Sequence, residues 1–380
     1  MESGEIERVI FTLPDLVPIQ PDMLRLVSEI DEFKGHWRAW QSLTRENLQG
    51  LRRVATIESI GSSTRIEGSR LTDREVEALL GRLETQSFTS RDEQEVAGYA
   101  FVMEQVFAYA DQIPLSGNML RQLHRDLLQH STKDERHRGA WKSLPNHVAA
   151  FDADGREQGI IFETSSPFDT PGHMETLLDW HRRAEADTGL HPLLRIGIFI
   201  VVLLAVHPFQ DGNGRLSRIL TTLLLLRAGY SHVPYSSLES IIEQNKEAYY
   251  LALRRTQTTW RSDDPDWSAW LIFFLRSIRQ QITRLQQRLD TSRPTLSPLA
   301  RQLAALFESH ETLTNSHAAT LTGANRSTLK AKFAELLAAG LIEAHGRGRG
   351  AFYTGKSFKS DIFWPSSLQH PINQLPWAKP

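Results

Sequence analysis

HPFQDGNGRLSR, residues 207–218, interrupts two of the most apolar stretches of the chain: IGIFIVVLLAV (196–206) leads into it, and LSRILTTLLLLRAG (216–229) runs out of it. Runs that are apolar on every face read as buried helices. The loop between them therefore delivers its polar residues to a buried mouth, and the second helix turns its free N–H groups and positive dipole end back toward that loop. Such an end binds anions. Gly212 and Gly214 remove the side chains that would hold a phosphate away from the backbone, and they permit the positive φ of an anion nest. Asn213 either adds an amide donor or fixes the loop. Arg215 and Arg218, one helical turn apart, share a face and can both reach polyphosphate oxygens. Asp211 supplies one hard carboxylate, suited to a Mg²⁺ that takes its other ligands from phosphates and water. His207 stands where a general base could take a hydroxyl proton, and Phe209 is expected to point into the core and pin the loop. Taken singly, these residues read as a cap, a turn and a solvated face; flanked on both sides by core helices, they read together as a site.

Working outward, the composition places this stretch in an ordinary globular chain. It has 380 residues, 40% of them hydrophobic and 23% charged, enough for two or three domains. With 43 basic against 45 acidic residues, the net charge of −2 gives no global pull toward nucleic acid or an anionic membrane. The absence of cysteine excludes disulfides and thiolate metal sites and fits a reducing, cytoplasmic setting. MESGEIERVIF lacks the basic-then-apolar order of a secretory signal. The apolar runs at 196–206 and 216–226 are shorter than the roughly 20 residues of a membrane span.

Helical periodicity dominates the rest. Helices are predicted at about 21–49, 51–63, 91–111, 116–129, 171–188, 191–206, 216–228, 237–258 and 266–287, and Thr72 is predicted to cap a further helix with Glu75 as its capping-box partner. NHVAAFDADGREQGIIFET reads as a β-hairpin, with strands at about 146–151 and 158–162 around an Asp154–Gly155 turn. A calcium loop on Asp152 and Asp154 fails, because Arg156 would fill the third ligand position. Composition shifts at the linker 290–298. Beyond it, helices at about 299–309, 315–321 and 326–339, followed by a basic two-strand wing, resemble a winged helix. Its DNA-facing candidates are Arg326, Lys330 and Lys332, with Arg347 and Arg349 on the wing. The proline-rich tail 356–380 is assigned no fold.

The stretch 207–218 resembles, position for position, the HPFx(D/E)GNGRxxR motif of the Fic family, whose members typically transfer AMP from ATP to a protein hydroxyl. The resemblance implies a mainly α Fic-type bundle with a β-hairpin flap, built as an N-terminal helical segment (1–90) and a catalytic core (91–289). It implies His207 as base, Asp211 as Mg²⁺ ligand, Gly212, Asn213, Gly214 and Arg215 as the phosphate cradle, and Arg218 on the γ-phosphate of ATP. The hairpin would be the flap that pairs with an extended segment of a target protein. In the related Doc kinases a lysine replaces the second glycine of the motif and the nucleotide binds reversed; here that position is Gly214, which favours nucleotidyl transfer. SSTRIEGSRLT (62–72) is similar to the inhibitory (S/T)xxxE(G/N) motif, through Ser63, Glu67 and Gly68. The resemblance implies that Glu67 pairs with Arg218 and places ATP in a non-reactive pose. The bland alternative is a helix end with Gly68 as its cap.

IIEQNKEAYYLALRR (241–255) resembles the segment lining the adenosine pocket, with Asn245, Tyr249 and Tyr250 as candidates; core packing of a tyrosine pair competes. Many relatives carry GxxR before the flap, where this chain has HRGAWKSLPN (137–146), so the docking surface is expected to differ. Removal of AMP from a modified protein, DNA binding through the winged helix, and the winged helix as a dimerisation or target-docking platform stand beside AMP transfer as readings. No membrane partner is expected.

Overall fold

The computed structural model describes residues 11, 13–40, 45–83, 88–151, 157–187, 189–292, 296–307, 310–338, 341–346 and 350–355. In chain order these form α1 (Pro21–Trp40), α2 (Arg45–Ile66), α3 (Asp73–Leu80), α4 (Arg91–Tyr109), α5 (Gly117–Leu127), β1 (Val148–Phe151), β2 (Glu157–Phe162), α6 (Thr170–Ala186), α7 (Pro192–Val206), α8 (Asn213–Arg227), α9 (Leu238–Gln244), α10 (Lys246–Gln257), α11 (Ser268–Ser292), α12 (Pro298–Leu306), β3 (Thr312–Thr314), α13 (Asn315–Thr322), α14 (Arg326–Ala338), β4 (Ile342–His345) and β5 (Phe352–Gly355). They group into two compact units. One takes in the described residues up to Lys34 and Val54–Ile282, the other Gly35–Arg53 and the described residues from Thr283 on.

The first unit is helical and built around α7 and α8. Every residue of α7 from Leu193 to Val206 is buried, as the run of apolar residues predicts. α11 packs against α7 so closely that a Cβ on Gly197 would lie 2.7 Å from Leu271, and the Trp270 indole donates to the Gly197 carbonyl at 2.7 Å. α3 opens on the predicted capping box: the Thr72 hydroxyl accepts from the Glu75 N–H, and the Glu75 carboxylate accepts from the Thr72 N–H at 2.8 Å. The grouping joins α3 and the C-terminal part of α2 to the helices that follow, so no division falls at residue 90.

Boundaries differ from the periodicity in ways that bear on the site. α2 runs through Gly50 to Ile66, in place of two helices meeting near 50; a mid-helix glycine costs only about 1 kcal/mol. α8 begins at Asn213 and not at Leu216, which puts Asn213, Gly214 and Arg215 in its first turn. The segment 237–258 splits at Asn245, whose side chain donates back to the Ile241 carbonyl at 2.8 Å. The hairpin is present, β1 antiparallel to β2 with Val148 opposite Phe162 and Phe151 opposite Glu157; its Asp154–Gly155 turn lies outside the described residues.

In the second unit α11 continues to Ser292 and α12 opens at Pro298. Its core is Ala300, Leu303, Leu313, Ala318, Leu329, Phe333, Leu336 and Ile342, with Phe333 stacked on Tyr353 at 4.0 Å. The antiparallel sheet has the order β3-β5-β4. Arg347, Arg349 and the tail 356–380 lie outside the described residues. Among the described residues no helix is long and apolar enough to cross a membrane.

Candidate active site

α7 stops because His207 turns left-handed, at φ 53° and ψ 61°, while its N–H still closes on Leu203 at 2.9 Å. Among the described residues it is the only non-glycine with positive φ, a conformation that costs roughly 1–2 kcal/mol without glycine. The loop that follows holds it there. Phe209 is fully buried, its ring stacked on His124 at 3.8 Å and 12° and against Trp141 at 5.0 Å. Asn213 grips the same residue by its backbone, accepting from the Phe209 N–H at 2.9 Å and donating to its carbonyl at 2.7 Å. Of the two roles open to Asn213 in the sequence, its amide performs loop fixing here. Gly212 caps α8 at φ 79°, a region open to glycine.

The His207 ring has its Nδ1 3.3 Å from the Leu204 carbonyl. A carbonyl only accepts, so the proton sits on Nδ1 and Nε2 carries the lone pair. Burial, reinforced by the Lys142 charge, pushes the imidazole down to about 4 and keeps it neutral at ordinary pH.

On the α4 side of α8, Arg215 is 1% exposed. Its Nη1 lies 3.3 Å from Glu95 and its Nη2 3.3 Å from Asp211; Nε and Nη1 are buried without a hydrogen bond. Arg91 reaches Glu95 at 2.8 Å and the other Asp211 oxygen at 3.1 Å. Arg91, Glu95, Arg215 and Asp211 thus close a ring of alternating charge. Burial opposes ionisation of Asp211, but Arg215, the Gly212 N–H at 2.6 Å, Arg91 and Lys133 together hold its carboxyl below the usual range. No group of three or more metal-ligating side chains occurs among the described residues. A lone ionised carboxylate beside a buried guanidinium with unused donors fits a Mg²⁺ that arrives with phosphates, and it does not fit an all-protein cage.

On the α2 side, Arg218 is 3% exposed and hydrogen-bonded through both Nε and Nη2. Nε donates to the Ser63 hydroxyl at 2.8 Å, and Nη2 donates to the Ser63 carbonyl at 2.9 Å and to the Glu67 carboxylate at 2.7 Å. Burial works against the charge on Glu67, but Arg218 and then Arg215 outweigh it and hold the carboxyl low. α2 ends at Ile66, just before Glu67, with Gly68 at φ 108° and the Ser69 N–H closing on the Thr64 carbonyl at 3.1 Å. Gly68 is therefore a C-terminal cap, and that role coexists with the ion pair. The end of α2 is strapped down by Arg65, bidentate to Glu243 at 2.7 and 3.0 Å and bonded to Asp73 at 2.9 Å, and by Lys246, which donates to the Ile66 carbonyl at 2.8 Å. A Cβ on Gly214 would overlap the Glu67 carboxylate.

The adenosine candidates separate. Tyr249 is buried against Trp270 and Phe273, with its hydroxyl against Arg218, so its ring packs in the core. Asn245 and Tyr250 are exposed, and Lys246 lies 6.0 Å over the Tyr250 ring. The sequence reading did not single out Arg91, Glu95, His124, Lys142 or Arg65. Lys142 is buried where GxxR was missing: its ammonium donates to Asn146 at 2.8 Å, Thr164 at 2.9 Å and the Val206 carbonyl at 3.1 Å. Asn146 in turn donates to the Phe209 carbonyl at 2.6 Å. The residues flanking the hairpin are thereby tied to the loop.

The fold is similar to that of known proteins. Residues 114–225 match the Fic/DOC family. Over 222 residues it is 28% identical to the protein adenylyltransferase Fic of Drosophila willistoni, covering 57% of this chain and 41% of that protein. Over 212 residues it is 26% identical to that of Drosophila melanogaster, covering 54% and 38%. The chain thus spans about two fifths of the length of these curated relatives. Among solved structures, a Fic family protein from Desulfovibrio desulfuricans G20 shares the fold at a TM-score of 0.58 and 24% identity, over 92% of this chain and 100% of that one. A Fic domain containing signaling protein from Bacteroides thetaiotaomicron does so at 0.54 and 24%, over 70% and 97%.

Proposed function

We propose that the protein is an adenylyltransferase that moves AMP from ATP to a hydroxyl of a target protein or of itself, and that it holds itself in check through Glu67. The observation that carries this reading is His207 held left-handed at the mouth of α8, with its Nε2 lone pair unspent. The hydroxyl oxygen attacks the α-phosphorus and its proton passes to His207 Nε2; the new P–O bond forms as the bond to the β-phosphate oxygen breaks, and pyrophosphate leaves. The α8 N-terminus at Gly212–Gly214 and the unused donors of Arg215 stabilise the phosphates. Asp211 would hold Mg²⁺, which when bound neutralises and orients the polyphosphate. Arg218 would meet the γ-phosphate once Glu67 withdraws. Asn245 and Tyr250 lie on the proposed adenosine side.

A target segment would add to the β1–β2 hairpin. The element order α12, β3, α13, α14, β4, β5 supports a winged helix. Because Lys332 is paired with Glu335 at 2.8 Å, the exposed cations left on α14 are Arg326 and Lys330, a sparse footprint for DNA. A docking or dimerisation platform for protein is the reading favoured for this unit.

Incubation of the wild type and Glu67→Gly with ATP labelled at the α- or the γ-phosphorus tests the proposal. Label from the α position alone, rising in the variant, is expected. Label from the γ position would make the protein a kinase, and faster loss of AMP from a modified target in the wild type than in the variant would make it a remover of AMP.

A further inference from the structure

His124, on α5 and 87 residues from the loop in sequence, lies with its ring flat on Phe209 and both ring nitrogens engaged. Nδ1 accepts from the Gly139 N–H at 2.9 Å. That contact leaves the ring proton on Nε2, which donates to the Asp211 carbonyl at 2.9 Å. One imidazole thus joins three elements: the turn at Gly139 that leads toward the hairpin, the buried ring that pins the loop, and the peptide between Asp211 and Gly212. The ring also walls the left-handed turn, since a Cβ on Gly212 would lie 3.4 Å from Nε2. Among the described residues, no other side chain bonds the Asp211 carbonyl.

We infer that His124 is a positioning residue for the proposed AMP transfer: by holding the Asp211 carbonyl it sets the plane of the 211–212 peptide, and with it the aim of the Asp211 carboxylate and of the cradle N–H groups. It touches no substrate. The inference rests on the adenylyltransferase reading, and its mechanism separates the two nitrogens. The Nε2 bond acts on the site, whereas the Nδ1 bond secures the Gly139 turn. Glutamine places an amide near Nε2 and can still donate to Asp211; asparagine reaches only the Nδ1 side and can still accept from Gly139.

The experiment compares His124→Gln, His124→Asn and His124→Phe in the Glu67→Gly background, reading melting temperature, Mg²⁺-ATP affinity, the maximal self-modification rate, and hydrogen–deuterium exchange of amides 209–214. His124→Asn and His124→Phe are expected to lose about 100-fold in maximal rate, as a displacement on the order of 1 Å can do. They should expose the 211–214 amides to exchange, with KM for ATP changed far less. His124→Gln should recover about 10-fold of that rate, with the amides again protected. Equal losses in glutamine and asparagine, or a rate that merely follows melting temperature, would reduce His124 to a core residue and overturn the inference. Should His124→Phe fail to fold, glutamine and asparagine still rank the two nitrogens; should asparagine fail, a glutamine variant no better than phenylalanine would overturn the inference, and should glutamine fail, an asparagine variant at the parent rate would do so. Because exchange is read without turnover, a parent that transfers no AMP would defeat the adenylyltransferase reading while the exchange pattern still decides the role of His124.

Discussion

The first two turns of α8 present two arginines, a helical turn apart, to two different surroundings. Toward α2, Arg218 has three hydrogen bonds of 2.7–2.9 Å to Ser63 and Glu67. Toward α4, the equally buried Arg215 has two ion-pair contacts at 3.3 Å and two donors with no hydrogen bond. A buried donor left unmade costs about 1–3 kcal/mol, so the protein has completed one side of the turn and left the other incomplete. In the proposed mechanism, the incomplete side is for a ligand to finish and the completed side is what must be undone.

The largest effect falls on neither arginine. In the Glu67→Gly background, His207→Ala should cut AMP transfer by about 100-fold or more, the worth of a general base, and leave Mg²⁺-ATP affinity by calorimetry within about threefold, since Nε2 touches the proton and no phosphate. Retained transfer would assign the base elsewhere. Breaking the completed side comes next. Glu67→Gly should raise transfer by about 10- to 100-fold, the 1.5–3 kcal/mol of a charge-assisted pair, whereas Arg218→Ala should give no gain because it loses the γ-phosphate contact with the brake. Equal gains in both would erase the distinction between the two sides.

Smaller effects come from the supports. Arg65→Ala removes the strap to Glu243 and Asp73; it should raise transfer by about 3- to 10-fold without touching Glu67, the half-buried pair being worth about 1 kcal/mol after screening. Assays at high salt should narrow the difference. Arg91→Gln frees one oxygen of Asp211, and Mn²⁺ affinity, read by electron paramagnetic resonance, should rise about threefold, because Arg91 is half exposed. A fall in affinity would mean that Arg91 orders the carboxylate instead of competing for it.

The smallest effect is one of acid. His207 is depressed to about 4, so its base form survives at pH 5, and the transfer rate there should stay within about twofold of that at pH 7. Stability moves differently. His124 and His207 at about 4, and His181 and His232 at about 3, stay neutral in the fold while the unfolded chain takes up protons below about 6.5. Their contribution is complete above that pH and is lost as pH falls toward their folded values, so the melting temperature should drop across 6.5 to 4.

The loop 207–218 was legible because its chemistry is contiguous: a base, a carboxylate, two glycines and two arginines read in order between helices that cannot be anything but core. The ion pair between Glu67 and Arg218 spans 151 residues and was legible only through the resemblance, since no local pattern joins the two. Arg91, Glu95, His124 and Lys142 escaped notice for the same physical reason. Each lies on a helix or turn where a charged or polar residue is ordinary, and each becomes part of the site through a contact 64 to 120 residues away. Asn213 was half legible: the sequence offered two roles for its amide, and only the packed loop shows the amide engaged with Phe209. The helix break at Asn245 was missed because the apolar periodicity continues across it.

Gly214 carries a consequence for how such a chain could change over time. The space beside its Cα is taken by the Glu67 carboxylate. The same position is where the resembling kinases bear a lysine. A side chain at 214 would have to displace the flexible end of Glu67 from Arg218, so a bulkier residue there and the ion pair compete for one space. The vacancy at one Cα thus couples what position 214 can carry to whether Glu67 stays on Arg218.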